Sequence, residues 1–160
     1  MPDAFRVTLA RCSFGSTAAI VTSVGLIVGF GAATVSRPAL VSALFSVAFA
    51  DNISDSLSIH IYQESENLEE RAAFRATVTN FFARLPIALS FVSLVLLLPR
   101  RLVSLASALW GLLLLGTLPY VLARARKVRP LWEILTHFGV AVLIVLVSRT
   151  LGLWINTHVH

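Results

Sequence analysis

Five apolar stretches, each of bilayer-spanning length and the first four closed by proline or clustered charge, constrain this 160-residue chain more than any other feature. They cover about 16–35, 39–61, 76–98, 102–122 and 131–155 on the apolar-run criterion. Ser36, Arg37 and Pro38 stop the first, Pro99, Arg100 and Arg101 the third, and Arg124, Arg126, Lys127, Arg129 and Pro130 the fourth. A helix needs about 20 residues to cross the hydrocarbon core, so each stretch suffices. Hydrophobic residues make up 57% of the chain and charged ones 13%, whereas soluble domains carry about a quarter charged residues. The expectation is an all-α integral membrane protein of five transmembrane helices: a single multi-pass domain over 1–160, in the cell membrane if the source is prokaryotic. A net charge of +5 points to membrane topology rather than nucleic acid, because most of the basic residues flank the apolar runs.

An odd number of spans puts the termini on opposite sides, and loop charge selects the orientation. With the N-terminus in the cytoplasm, Arg6, Arg11, Arg71, Arg75, Arg124, Arg126, Lys127 and Arg129 lie inside, against Arg37, Arg100 and Arg101 outside. Trp132, Trp154 and Tyr62 then fall at span ends, where aromatic anchors belong. Arg6 and Arg11 ahead of an apolar run ending in Gly31, Ala32 and Ala33 also match a signal peptide. Thr22, Gly25 and Gly29 favour a retained helix, because their small side chains permit close helix approach; Gly25 and Gly29 are expected to pack a dimer.

Asp51, Asn52 and Asp55 interrupt the second span, at a cost no lipid-facing helix carries without a partner. At about 100° per residue, Asp51, Asp55, Ser58, Tyr62, Glu66 and Glu69 fall within a stripe about 80° wide. On a continuous helix they form an acidic track from mid-membrane toward the cytoplasm, and carboxylates suit hard divalent cations or proton exchange. Arg84 supplies a competing reading. A rise of about 1.5 Å per residue puts it at a depth between the two aspartates, so a buried ion pair across the second and third spans satisfies all three charges without a substrate.

The remaining polar residues carry less. His60 points away from the stripe and is read as solvated near the inner interface. His137, inside the fifth span, is either a proton relay or a hydrogen-bonded packing residue. His158 and His160 form a tail expected to be disordered. Arg149 reaches the outer interface by extending its side chain, and Glu133 pairs with the adjoining basic loop. Glu64, Glu66, Glu69 and Glu70 lie in a short charged segment, 63–75, that either concentrates cations or is an ordinary solvated helix end. Cys12 is alone, so no intrachain disulfide forms. With no phosphate loop, nucleophile set or H-E-x-x-H motif in the sequence, an enzyme is the least supported class.

Short motifs across most of the chain resemble the vacuolar iron transporter family. Asn52, Ile53, Ser54, Asp55, Ser56, Leu57, Ser58 and Ile59 are similar to that family's second-span run, and the segment from Gln63 to Arg71 is similar to its acidic extension. Phe14 and Gly15, followed by Val21, Thr22, Ser23, Gly25, Val28 and Gly29, resemble its first-span opening. The resemblance implies a VIT-like fold with a cytoplasmic N-terminus, a homodimer in the lipid bilayer, and exchange of Fe2+ or Mn2+, with protons as the coupling ion. No resident cofactor is implied. Asp51, Asp55, Ser58, Glu66 and Glu69 are the expected metal ligands, with Arg84 and His137 as proton-coupling or charge partners. Ala18 stands where the family has an aspartate, Ile59 where it has a methionine, and Gln63 where it has an acid. These departures favour two alternatives: a non-transporting partner subunit that pairs Asp51 and Asp55 with Arg84, or transport of monovalent cations or protons alone.

Overall fold

A computed structural model describes the backbone of residues 3–65, 70–126 and 131–159; the side chains of 1–14, 59, 63–73, 76, 119, 122, 125–133 and 160 lie outside that description. The described residues form five helices: α1 (Asp3–Ala32), α2 (Arg37–Ser65), α3 (Glu70–Leu97), α4 (Arg100–Arg126) and α5 (Leu131–His158). Each contains a segment long and apolar enough to cross a membrane: Gly15–Ala32, Arg37–Tyr62, Thr77–Leu97, Arg100–Leu118 and Ile134–His158. The helices overrun the apolar stretches at most ends, since polar flanking residues continue the hydrogen-bond ladder at little cost. α1 stops short of its expected end. Thr34 adopts φ 59°, and the Val35 amide donates back to the Phe30 carbonyl, closing the helix with a left-handed cap.

α1 is the hub, packed against all four other helices, while α2 with α3 and α4 with α5 form two hairpins on either side of it. Arg37 meets Leu98 at one end of the α2–α3 pair and Asn52 meets Phe81 midway, which fixes their antiparallel register. Arg37 donates to the Leu98 carbonyl at 2.6 Å, and Arg100 donates to the Thr34 and Val35 carbonyls. Two of the three arginines assigned to the outer side therefore cap the C-terminal ends of α3 and α1, where carbonyls lack intrahelical partners.

Ile20, Ile27, Phe91 and Val95 form the centre of the apolar core, with Leu40, Leu44, Val103 and Leu115 around them. Much of the outward surface is apolar too: Leu97, Phe82, Leu135 and Leu143 are all exposed. Apolar residues on both faces of a helix belong to a lipid environment, not water, so the bundle is compatible with a multi-pass membrane protein.

Gly25 and Gly29, expected at a dimer contact, are covered within the chain. A Cβ on Gly25 would lie 3.3 Å from Ser148 Oγ, and one on Gly29 3.4 Å from the Ser148 carbonyl oxygen. α5 takes this face because Gly152 lets the two backbones meet: a Cβ there would overlap the Gly29 carbonyl oxygen and lie 2.9 Å from Ala32 Cβ. The small-residue pattern serves close helix approach, as expected, but between α1 and α5 of one chain. His158 is likewise ordered rather than part of a loose tail. It ends α5, stacks on Trp154 at 5.2 Å, and its Nδ1 lies 3.0 Å from the Trp154 carbonyl; His160 is outside the described residues.

Candidate functional site

Arg84 is 2% exposed, the largest fully buried side chain among the described residues. It leaves α3 toward α2, where Nη2 donates to Asp51 Oδ2 at 2.7 Å and Nη1 pairs with Asp55 Oδ2. The spacing on α2 explains this. Residues four apart share a helix face, so both carboxylates reach one guanidinium, whose planar fork accommodates both. Asp51 and Asp55 are themselves about a third exposed, at 39% and 34%. The cation is closed in while its partners border the bundle surface.

The line of α2 that faces inward runs through Leu40, Leu44, Ala48, Asn52 and Ser56. Asp51 and Asp55 flank it, so the acidic stripe lies along the edge of the α2 interface and not at its centre. Ser58 faces outward, its hydroxyl donating to the Ser54 carbonyl at 2.9 Å, and Tyr62 is exposed. Ser58, expected as a metal ligand, is thus engaged by its own helix, as hydroxyl groups in helices often are. Glu66 and Glu69 lie outside the described residues. His137 belongs to α5, which packs on α1 and α4 and, among the described residues, touches neither α2 nor α3. The structure therefore does not bring it to Arg84. His60, expected to be solvated, is half-buried in a groove with Phe74, Phe81 and Phe82, because the α2–α3 pair stays apolar beyond the cluster.

Residues that sequence reasoning left aside complete the site. Asn52 is 2% exposed; its Nδ2 donates to the Phe81 carbonyl at 3.0 Å, leaving Oδ1 without a partner. Asn80, one turn before Arg84 and 1% exposed, has neither Nδ2 nor Oδ1 bonded, and Ser56 Oγ and Arg84 Nε are also unpaired. Gly15 of α1 makes room for them: a Cβ there would overlap Asn80 Oδ1 and lie 2.8 Å from Arg84 Cδ. The available signal was intramembrane amides at helical spacing from the charges, Asn80 four residues before Arg84 and Asn52 next to Asp51. Thr22, Ser23, Asp51, Asn52 and Arg84 also wall a cavity of about 10 Å³ between α1 and the α2–α3 pair.

Within the candidate spans around this cluster the charge balance is simple. α1 from Gly15 to Ala32 carries no ionisable side chain, α3 from Thr77 to Leu97 carries only Arg84, and the inner part of α2 carries Asp51 and Asp55. By formal charge, two carboxylates against one guanidinium leave the cluster at −1. Among the described residues no three His, Cys, Asp or Glu side chains gather as a metal-binding group. Comparison of the chain with protein-family models, curated proteins and solved structures finds no match.

Proposed function

We propose that this protein carries a small cation across a membrane, oriented with its N-terminus in the cytoplasm, and that the Asp51–Arg84–Asp55 cluster is its cation site. The surplus negative charge of that cluster, set among apolar helices of membrane length, carries the reading. Buried charge is costly in hydrocarbon and is retained where a pathway uses it. The oxygen ligands offered suit hard cations. Fe2+ and Mn2+ are the ions that the family resemblance implies, with proton coupling; for both acids to hold such an ion, Arg84 must give up its two carboxylates.

A second reading is a non-transporting partner subunit in which the three charges serve only to join α2 to α3. The saturation of Arg84 by both acids favours it, together with Ala18 and Ile59 at positions where the resembled family has ligands. Proteoliposomes separate the two. Uptake of Mn2+, Fe2+ and Na+ is measured for the wild type and for Asp51→Asn and Asp55→Asn at matched protein incorporation. Uptake of any of these ions that both variants abolish supports transport through the cluster. No uptake of any of them by folded wild type supports the partner-subunit reading.

A further inference from the structure

The charges inside the spans balance in number but not in place. Away from the span ends, the five spans hold four Asp, Glu, Lys or Arg side chains, namely Asp51, Asp55, Arg84 and Arg149, whose formal charges sum to zero. The first three form the cluster described above. Arg149 stands apart from it, because α5 packs on α1 and α4 and, among the described residues, meets neither α2 nor α3. Its side chain is exposed and makes no ion pair among the described residues. It belongs to an outward line of α5 shared with Val142, Leu146 and Leu153, all exposed. Each chain therefore presents two uncompensated charges to the hydrocarbon: +1 on α5, and −1 on the edge of α2 where Asp51 and Asp55 are 39% and 34% exposed. Such charges are costly within a bilayer unless they meet a counter-charge there.

The two patches match in depth and in shape. The α5 span, Ile134–His158, has its midpoint at residue 146, and the α2 span, Arg37–Tyr62, at about 49–50. At about 1.5 Å per residue, Arg149 lies about 4.5 Å from the midplane on the side where Arg37 and Arg100 cap the helices, and Asp51 about 2 Å from it on the other. Asp51 is thus nearer to Arg149 in depth, at about 7 Å, than the edge of the hydrocarbon, at about 10 Å, and an extended arginine side chain covers that offset. Beside the acids, the outward face of α2 carries Ser42, Ser46, Ala50 and Ser54, four residues apart and all exposed. The bulky side chains flanking Arg149 have a row of small ones on which to seat. Because α2 and α5 both lie against α1 and not against each other, a two-fold axis along the membrane normal sets α5 of one copy on α2 of the other at both places at once. We propose that this face is the contact with a second copy of the chain, in which the partner subunit's Arg149 neutralises the Asp51–Asp55 edge of α2. A contact of α2 with α2 would instead set −1 against −1. The inference goes beyond transport and holds whether or not the cluster carries a cation.

The test titrates energy transfer between donor- and acceptor-labelled copies of the full chain against protein density in phosphatidylcholine bilayers. Expected is a dimer whose dissociation constant rises about tenfold or more with Arg149→Leu and likewise with Asp51→Asn, while the double substitution adds little to either, the mark of a direct pair. Arg149→Leu changes an exposed side chain, and Asp51→Asn leaves Asp55 paired with Arg84, so both variants keep the fold; Arg149→Lys keeps the charge and the dimer. Oxidative cross-linking in a Cys12→Ser background reads the geometry. Chains with Ala50→Cys and chains with Leu146→Cys are expected to join to each other, and neither kind to itself. The proposal is overturned by a monomer at every density, which leaves Arg149 to the lipid phosphates, by a dimer that Arg149→Leu leaves intact, by additive effects of the two substitutions, or by cross-links among chains with Ala50→Cys alone, which set α2 against α2. The expected dimer without cation uptake by the same vesicles supports this contact and overturns only the transport reading.

Discussion

The two hairpins that flank α1 solve the same packing problem in different ways. Against α5, α1 offers Gly25 and Gly29 to Ser148 and Gly152, so association on this face rests on backbone proximity and dispersion, with no charged side chain among the nearest neighbours of these glycines. Against α2 and α3 it offers Gly15, Thr22 and Ser23 to a buried arginine, two amides and two flanking carboxylates. A cavity of about 160 Å³ between α1, α4 and α5 is walled almost entirely by apolar side chains such as Val24, Leu112 and Ile144, while the one near Arg84 is small and polar. Helices in lipid gain little from hydrophobic association, so steric fit and polar contacts must hold them together. On the α4–α5 side polar contacts lie at the end of α1, where Arg100 donates to the Thr34 and Val35 carbonyls and Thr34 Oγ1 donates to Asn156 Oδ1, whereas on the α2–α3 side they also lie in the middle of the helices. Among the described residues, the buried ion pairs lie on the second side.

That contrast breaks most severely if the acids are removed together. Asp51→Asn with Asp55→Asn leaves Arg84 buried without a counter-charge and is expected to cost about 3–5 kcal/mol in an unfolding titration. Each single substitution leaves a neutral Asp–Arg pair and costs on the order of 1 kcal/mol. Near-additive single and double effects would show that the acids do not share Arg84. Next in size, Gly152→Ala drives a methyl group against the backbone of α1, which cannot yield as a flexible side-chain tip does. A loss of about 1–3 kcal/mol is expected, independent of salt, whereas Gly15→Ala displaces Asn80 and the Arg84 stem. Its stability loss, of about 1–2 kcal/mol, should be accompanied by loss of cation uptake. Gly152→Ala, compared at equal incorporation, should spare that uptake. Smallest, Arg100→Ala uncaps α1 and should lower stability by about 0.5–1 kcal/mol without altering cation dependence.

Much of the architecture was legible in the chain because lipid imposes a simple rule: apolar runs of sufficient length become helices, with proline and charge clusters at their ends. The Arg84 pairing was legible for the same reason, since three charges in otherwise apolar spans at matching depth have few alternatives to one another. The inward line of α2 was less so. Polar residues suggested a stripe through Asp51, Asp55 and Ser58, but Ala48, Asn52 and Ser56 are small enough to let α3 and α1 approach, and packing set the rotation of the helix. Gly25 and Gly29 show the same limit: a small-residue face declares that something packs closely there, not whether it is the fifth helix or a second copy.

By itself, then, the sequence determined the number of helices, their membrane-compatible character and the net charge of the polar cluster, since each depends on composition along the chain. Only the tertiary structure decided that α1 is the hub, that α5 rather than another copy covers its glycines, that His137 stands apart from Arg84, and that Asn52 and Asn80 join the site. Those outcomes turn on which helix faces meet. Facing is settled by fractions of an ångström of steric fit between side chains distant in the chain, which periodicity along a single helix does not encode.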